Sequence, residues 1–429
     1  MMKIEQIKEL LEKSGAFAWR ITQTKTKRWE FYFIRHDLDQ NRSADIENYQ
    51  ITVFVKSDDG KGVGSASAEM GPDETPEYVE LTIKDLLFQA SLIKDAYYEL
   101  KAPAALPESE ETDVDLNRIS ADFMDTVKKL PETDEVFMNS YEIFVSDVKR
   151  RIVTSTGIDV TEKYPVSLLE TVVNARNSEH EIEFYKLYDS GTCMKKDLTA
   201  DLGKTFEYGP ARLSAGKTPS LGKADVLFSG EDAVRIYEYF KDGLDCAFIH
   251  MKYSSFKKGE PIAEDITGDK VTLKTLKFLD GSSMNMLTDP EGTPIEDRTL
   301  MEEDIPKSFH GGTKFSYYLG EKNTFIPGNY EFSRGTKTAE ELKKGPVLEC
   351  VFFSDFQVDT MSGDLFGEIR LAFMHEADGS VRPVTGGSIS GNMKEFVKSM
   401  KMSTDRSRYD NALIPSYTRL SDVTVTGAE

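Results

Sequence analysis

The chain has 429 residues, of which 39% are hydrophobic and 30% are charged, so it is typical of a globular protein with two or three domains. Its 74 acidic residues against 53 Lys and Arg give a formal net charge of −21. Such a surface opposes binding to a phosphate backbone, and we expect no nucleic-acid partner. The three cysteines are far apart, which excludes a disulfide framework and a zinc ribbon.

The N-terminal sequence lacks the apolar core of a signal peptide. No apolar run of the sequence reaches the length of a membrane-spanning helix. We therefore expect a cytoplasmic protein without a membrane partner.

Residues 1–105 form the first predicted region, of mixed α and β character. Ile4, Ile7 and Leu11 share one face of an amphipathic helix. The aromatic segment 29–34 predicts a strand, and 51–64 predicts a hairpin around the turn at 58–60. Thr82 and Asp85 have the spacing of a capping box, which predicts the start of a long helix reaching Leu100.

Residues 106–222 form a middle α+β region, which joins residues 1–105 in one N-terminal domain. The acidic, proline-containing stretch 101–118 is the predicted linker, and a short helix follows over 120–130. Strands are expected near 141–145, 152–153 and 181–188. The basic run 149–151 is interpreted as a solvated strand edge. The Gly- and Pro-rich stretch 203–224 is a second candidate boundary.

Residues 223–429 predict a strand-rich C-terminal domain. Ser229 and Asp232 are interpreted as a capping box that opens a helix over 234–244, after a strand at 226–228. The clearest hairpin turns at Asp378–Gly379, where a type I′ turn is expected, and the final strand includes 423–425. The order of elements indicates an α+β fold, with a helix-and-strand domain followed by a strand-rich one.

Known metal and phosphate motifs are absent from the sequence. Neither His180–Glu181 nor His375–Glu376 is followed by a second histidine at helical spacing, so no zinc site is predicted. His375 has the strand parity of buried neighbours and is interpreted as structural. The stretch 215–218 lacks the first glycine of a phosphate loop, Gly60 to Gly64 precede no helix, and 37–41 is interpreted as a polar turn instead of a calcium loop.

Nucleophilic catalysis stays open, because the partners of a serine or cysteine nucleophile are distant in sequence. No G-x-S-x-G elbow is present, and the cysteines are expected to pack as small apolar residues. The residues by themselves predict no catalytic group and no metal ligand.

Five segments, taken in chain order, resemble the TldD/PmbA family, the so-called modulators of DNA gyrase. They resemble its "N-S-x-G" turn, its "V-V-x-S-P-E-A-A" helix entry, its "D-x-E-G-x-P" element, its "G-D-x-S … x-P-V … A-G-N" run and its terminal strand. In this chain the segments are 153–160, 225–233, 289–302, 363–393 and 415–427.

The resemblance implies a cytoplasmic heterodimer with a two-part α+β architecture. In this family a TldD-type subunit carries an HExxxH zinc site and cuts extended peptides, whereas the PmbA (TldE) subunit has no such motif. The helix at 234–244 has no histidine, so the chain is similar to the PmbA side, and zinc is expected only in a TldD-type partner. The family-signature positions, interpreted as fold or interface residues, are Gly157, Asp289, Glu291, Gly292, Pro294, Gly391 and Asn392.

The leading hypothesis is therefore a non-catalytic subunit that guides unfolded peptide to its partner's zinc. One alternative is a stand-alone homodimer that binds peptides or small molecules. Another is a hydrolase with a non-metal nucleophile. Gyrase modulation through DNA contact is disfavoured by the charge.

Overall fold

The computed structural model describes residues 3–102, 109–111 and 113–428. Part of the predicted linker, 103–108 and residue 112, lies outside these residues. The helices are α1 (Ile4–Lys13), α2 (Pro76–Leu92), α3 (Leu116–Val127), α4 (Lys195–Leu213), α5 (Val234–Gly243), α6 (Cys246–His250), α7 (Thr313–Tyr318), α8 (Ala339–Leu342) and α9 (Met393–Phe396). The N-terminal strands are β1 (Ala18–Ile34), β2 (Asp37–Lys56), β3 (Val63–Met70), β4 (Glu110–Glu111), β5 (Val136–Thr154), β6 (Asp159–Arg176) and β7 (Glu181–Ser190).

The remaining strands build the C-terminal half. They are β8 (Gly216–Lys217), β9 (Gly222–Ser229), β10 (Leu273–Leu276), β11 (Arg298–Glu302), β12 (Ile305–Pro306), β13 (Asn329–Phe332), β14 (Val347–Val358), β15 (Asp364–His375), β16 (Val381–Thr385), β17 (Ser388–Asn392), β18 (Lys401–Met402), β19 (Arg406–Tyr409), β20 (Ala412–Pro415) and β21 (Tyr417–Thr426).

One sheet organises the N-terminal half. Its order is β3-β2-β1-β5-β6, and within the described residues both β4 and β7 pair with β6. Because β1 pairs with β5, the regions 1–105 and 106–222 share this sheet. Two pairs of helices cover it: α1 and α2 pack on the β1–β3 part, and α3 and α4 pack on β5 and β6. Amphipathic spacing explains α1, whose Ile4, Ile7 and Leu11 are buried as predicted.

The C-terminal half contains a closed ring of strands. In the order β14-β9-β21-β17-β15, each strand pairs with the next, and β15 pairs back with β14. A second sheet has the order β12-β11-β10-β13-β20-β19. Helix α5 packs between these layers, in a core that includes Tyr237 and Phe240. The predicted α+β class is therefore confirmed. The exact limits proposed for the domains stay predictions.

A buried ion pair joins the two halves, and it corrects the interpretation of 149–151 as a solvated edge. Arg150 is 7% exposed and lies in the middle of the sheet, where its Nε donates to Glu162 Oε1 at 2.9 Å. Its Nη2 donates to the carbonyl of Thr288 at 2.6 Å, and Glu162 Oε2 accepts the Leu287 N–H at 2.6 Å. Val148 and Ile152 have the same strand parity and are also buried, so alternation determines that Arg150 points inward.

Two predicted capping boxes are wrong. The N-cap of α2 is Thr75, seven residues before Thr82. Its Oγ1 accepts the Tyr78 N–H at 3.2 Å, and Pro76 occupies the first turn. The helix ends before the predicted Leu100. A 3-10 turn at Glu231–Ala233 precedes α5, so Ser229 ends a strand and does not cap the helix.

Three predicted loops or turns also differ. Residues 203–213, expected as a boundary, belong to α4, which tolerates Pro210 near its end. The supposed polar turn at 37–41 is the start of β2. The hairpin between β15 and β16 forms as predicted, but only Gly379 of its turn pair has positive φ (88°), so the turn is not type I′. Its Gly379 N–H donates to Glu376 O at 3.1 Å.

Among the described residues, no helix is long and apolar enough to cross a bilayer.

Candidate functional site

Helix α5 is the element that, by the resemblance, would carry the zinc motif of a TldD-type subunit. Its inward face is aromatic and aliphatic, and Ile236, Tyr237 and Phe240 are each at most 1% exposed. The Tyr237 hydroxyl lies 2.7 Å from Thr418 Oγ1 on β21. Both carboxylates of the helix have partners, because Glu238 forms an ion pair with Arg235 and Asp242 accepts a hydrogen bond from the Thr360 hydroxyl. A core-filling role accounts for this face.

The residues around α5 do not fit a zinc ion. Zinc in proteins prefers nitrogen and sulfur donors in tetrahedral groups, and the donors on this face are a phenol and a hydroxyl that bind each other. His310 packs beside α5, but its Nε2 lies 2.9 Å from the Lys241 carbonyl oxygen. In the part of the chain that the structure describes, no group of three His, Cys, Asp or Glu is placed to hold a metal.

The other histidines have structural partners or surface positions. His375 Nε2 lies 2.7 Å from Glu349 Oε2, which confirms the interpretation of His375 as structural. His36 Nε2 lies 2.7 Å from Glu132 Oε1. His180 follows the turn between β6 and β7, where its N–H donates to Asn177 Oδ1.

A cleft of about 380 Å³ opens between the two halves of the protein. The N-terminal half contributes the end of β7 and the start of α4. The C-terminal half contributes the 3-10 turn before α5 and the two-residue turn between β19 and β20. In that turn Asp410 has φ of 40°, and its carboxylate accepts the N–H and hydroxyl of Ser283 at 2.9 and 2.8 Å. Apolar wall residues include Phe123, Leu198 and Val234.

An anchored carboxylate forms the floor of this cleft. Asp201 Oδ2 accepts from Lys186 Nζ at 2.5 Å and from the Tyr188 hydroxyl at 2.7 Å. Burial raises the pKa of Asp201, but Lys186 and the hydrogen bond from Tyr188 offset it, and the net pKa is lowered. Asp201 is therefore ionised and fixed in position.

Three further carboxyl groups line the cleft with pKa values raised mainly by burial. The pKa of Glu231 is raised to about 7, and those of Asp232 and Asp189 are raised too. Glu231 is nevertheless exposed to solvent, although many protein atoms surround it at longer range. The cleft thus combines these carboxyl groups with the guanidinium groups of Arg235 and Arg408, and Glu231 can exchange a proton near neutral pH.

The cysteines do not offer an activated nucleophile. Burial raises the pKa of Cys193 and of Cys246 to about 11, and it raises the pKa of Cys350 further. Reactive cysteines need a lowered pKa, so these thiols are packing groups, as the sequence predicted.

The predicted signature residues Asp289, Glu291, Gly292 and Pro294 form one turn at the junction of the halves. Asp289 is fully buried, and its Oδ1 accepts the N–H groups of Glu291 and Thr293 at 2.9 and 2.8 Å. Its Oδ2 accepts the Ile326 N–H at 3.0 Å, while Pro294 bridges back to residue 288. The side chain thus shapes this loop.

Glu291 and Gly292 connect that turn to its neighbours. Glu291 Oε2 accepts the N–H and hydroxyl of Thr313 at the start of α7, at 2.8 and 2.6 Å. Gly292 has φ of 83°, and a Cβ there would lie 2.9 Å from Ile158 Cγ2. Ile158 directly follows Gly157, whose φ is 101° in the β5–β6 turn. The structure therefore brings these signature turns together.

Gly391 and Asn392 lie elsewhere, at the end of β17. Asn392 caps α9 through Lys394 N–H at 2.9 Å, and its Nδ2 donates to Asp364 Oδ1 at 2.8 Å. A Cβ at Gly391 would lie 2.0 Å from Phe396 Cζ, so close packing determines the residue. Whether any signature residue contacts a partner stays a prediction.

No sequence motif marks the cleft residues, and none of them was predicted. Asp201, Glu231 and Asp410 come from three separate elements, and no spacing relates them. The available signal was the acidic pair Glu231–Asp232 directly after a buried strand, a place where binding groups often occur.

Comparisons with known proteins agree with this architecture. The family model described as PmbA/TldA metallopeptidase C-terminal domain matches residues 221–427. No curated protein matches the sequence.

Solved structures match almost the whole chain. TldE from Thermococcus kodakarensis has a TM-score of 0.77 at 15% identity and covers 98% of this chain and 100% of its own. A candidate modulator of a DNA gyrase from Thermotoga maritima has a TM-score of 0.76 at 19% identity, covering 99% and 100%. A candidate modulator of DNA gyrase from Bacteroides thetaiotaomicron has 0.78 at 17% identity, covering 99% and 98%. At these identities the likeness concerns the fold.

Proposed function

Because the chain belongs to the PmbA/TldD family, we propose that it is a non-catalytic, TldE-like subunit of a two-subunit peptidase. In this proposal a TldD-type partner supplies the HExxxH zinc site and cuts unfolded peptides. This chain supplies binding surface that leads the peptide to it. The observation that carries the proposal is the aromatic, histidine-free face of α5.

The packing of α5 supports a scaffold role for the helix. Tyr237 and Phe240 occupy the protein core, where a metal and its substrate would need open space. Its polar residues pair with neighbours at the surface. Retaining the helix without donors is consistent with keeping a shape that a second subunit recognises.

An outward-facing apolar stripe on α2 supports assembly. Tyr78, Leu81, Phe88 and Leu92 are between 50% and 64% exposed and lie three, seven and four residues apart. This spacing places them along one side of a helix, and contiguous exposed apolar surface is a mark of association sites. Light scattering would distinguish a self-dimer from a complex with a TldD-type subunit.

The test is reconstitution with a cognate HExxxH subunit. Alone, this chain should not cleave an unfolded fluorogenic peptide, and the mixture should cleave it as a stable complex. Glu238→Gln is the matched variant on α5: it removes the half-buried carboxylate that pairs with Arg235 and should leave kcat unchanged. Loss of kcat with Glu238→Gln, without loss of the complex, would contradict a non-catalytic α5.

A stand-alone homodimeric binding protein is the second candidate, and the cleft of about 380 Å³ favours it. Self-association without affinity for any HExxxH subunit would select this candidate. Covalent labelling of one serine or cysteine by an activity probe would instead select a non-metal hydrolase.

A further inference from the structure

A second cleft, of about 600 Å³, lies at the start of strand β7, whereas the cleft around Asp201 lies at its end. The N-terminal half contributes β6, the start of β7 and the end of α4 to it. The C-terminal half contributes β14 and β15. The cleft therefore exists only where the two halves meet.

Two arginines line this cleft together with Glu181 and Glu183, and neither arginine forms an ion pair among the described residues. Arg212 ends α4 and is half-buried, and Arg370 projects from β15 and is exposed. Among the described residues, no carboxylate lies within 4.0 Å of either guanidinium, and neither side chain donates a hydrogen bond. Burial, and then the charge of Arg370, lower the pKa of Arg212. The two cations thus repel each other, and an anion placed between them would relieve the repulsion.

This cation pair is unusual in a chain with a net charge of −21. Two other arginines of the C-terminal half illustrate the ordinary situation, since Arg382 pairs with Glu376 and Arg419 pairs with Asp225. A planar guanidinium binds carboxylates through paired N–H donors. Two unpaired guanidinium groups in one cleft are therefore suited to a carboxylate.

The wall beside the arginines is aromatic. Phe184 on β7 and Phe352 on β14 meet edge to face with ring centroids 5.1 Å apart. Phe184 is 2% exposed, whereas Phe352 is half-buried and lines the cleft. An anion that binds here would lie next to apolar surface, which suits a carboxylate attached to an apolar side chain and not a fully hydrated inorganic ion.

Asn174 lines the same cleft and is held in place by Glu181. The residue is 5% exposed, and its Nδ2 donates to Glu181 Oε1 at 2.7 Å. A carboxylate only accepts, so this bond fixes the orientation of the amide. The Oδ1 atom has no donor among the described residues and is shielded from solvent, so a ligand in the cleft does not contact it.

We propose that the cleft around Arg212 and Arg370 binds the free C-terminal carboxylate of an unfolded peptide whose last side chain is apolar. The proposal rests on the proposed function, because it specifies which end of the peptide this subunit holds. Arg212 and Arg370 bind the carboxylate, and Phe352 contacts the last side chain.

Strand β7 gives the bound peptide a direction. Within the described residues β7 pairs only with β6, so its second edge is available for an added strand. Residues 181–184 line the cleft around Arg212 and Arg370, and residues 187–190 line the cleft around Asp201. A peptide with its carboxylate at Arg212 and its amino end near Asp189 would run antiparallel to β7. At about 3.3 Å per residue, roughly five residues span the two clefts.

The test measures binding to the isolated full-length chain by fluorescence anisotropy. The probes are one labelled peptide of about five residues, ending in leucine, prepared as the free acid and as the C-terminal amide. The free acid should bind at least about tenfold more tightly, since charge-assisted hydrogen bonds to two guanidinium groups are lost in the amide. Arg212→Gln and Arg370→Gln should each weaken binding of the acid by about tenfold and leave the amide unchanged. Arg382→Gln is the matched control and should alter neither.

Equal binding of acid and amide would overturn the proposal. So would a preference for the acid that persists in the Arg212→Gln/Arg370→Gln variant. Competition by inorganic phosphate, with no difference between acid and amide, would assign the cleft to phosphate instead. The side chains have no partners to lose, so thermal melts should show that both variants fold like the parent.

The outcome is separable from that of the proposed function, because the assay needs neither a partner nor hydrolysis. If acid and amide bind equally but the reconstituted complex cuts peptide, the carboxylate proposal fails alone. If the acid is preferred but no HExxxH subunit binds, the proposed subunit role fails and the peptide site stands.

Discussion

The buried pair Arg150–Glu162 allows the link between the two halves to be tested by a single substitution. In Arg150→Met, Glu162 stays 3% exposed and loses its cation, and the Thr288 carbonyl loses a donor. Removing one partner of a buried pair costs about 3–5 kcal/mol. The carboxylate keeps the Leu287 N–H, so the lower end of that range, about 3 kcal/mol, is expected.

For a domain of roughly 150–250 residues this cost lowers the apparent Tm by about 6–12 °C. Differential scanning fluorimetry and calorimetry would measure it. The control is the adjacent Arg151→Met, which removes an exposed pair with Asp159 and Glu5. That change should cost at most about 1 kcal/mol, or up to about 4 °C.

The double variant Arg150→Met/Glu162→Met tests whether the lost stability comes from the unpaired buried charge of Glu162. If the cost arises from an uncompensated buried carboxylate, replacing both partners by apolar residues should recover most of the stability. The reasoning is refuted if Arg150→Met melts like Arg151→Met, or if the double variant loses as much as the two single variants together.

Three further predictions follow from the geometry. Gly391→Val and Gly292→Val should each destabilise the fold by about 1–3 kcal/mol, because a Cβ at these positions would clash with Phe396 and Ile158 respectively. Gly157→Ala is the control, since a Cβ there meets no atom and only the positive φ opposes it. Unchanged melting of either valine variant would contradict this prediction. Because burial raises the pKa of Glu231 to about 7, the folded state holds this proton more tightly than the unfolded chain, and stability falls as pH rises from about 4.5 to 7. Glu231→Gln should therefore melt higher than the parent above pH about 7 and alike below about 4.5, and a pH-independent difference would contradict it. With a net charge of −21, no duplex DNA binding is expected near physiological salt, and micromolar affinity that weakens steeply with salt would reveal a hidden basic groove.

The sequence predicts those parts of the fold that depend on local periodicity. The buried face of α1 and the hairpin between β15 and β16 follow from spacing and from Gly379. Strand alternation also contained the correct position of Arg150, since Val148 and Ile152 have its parity, but a basic run suggested a solvated edge. Composition was the weaker guide there.

The clefts depend on long-range packing and could not be predicted in this way. Arg212 and Arg370 meet because the end of α4 packs against the C-terminal ring of strands, 158 positions away in sequence. The start of α2 shows the limit for local signals too. Thr82–Asp85 and Thr75–Pro76 both have helix-start patterns, and in the structure Thr75 caps the helix with Pro76 in its first turn.

The proposed division of labour is tested most directly by reconstitution with a catalytically dead partner. The unmodified chain is mixed with a TldD-type subunit whose zinc-binding histidines are replaced, and hydrolysis of an unfolded peptide is followed alongside zinc content. We expect an intact complex with no hydrolysis and no stoichiometric zinc in this chain. Sustained, chelator-resistant hydrolysis by that complex, or by this chain alone, would contradict it.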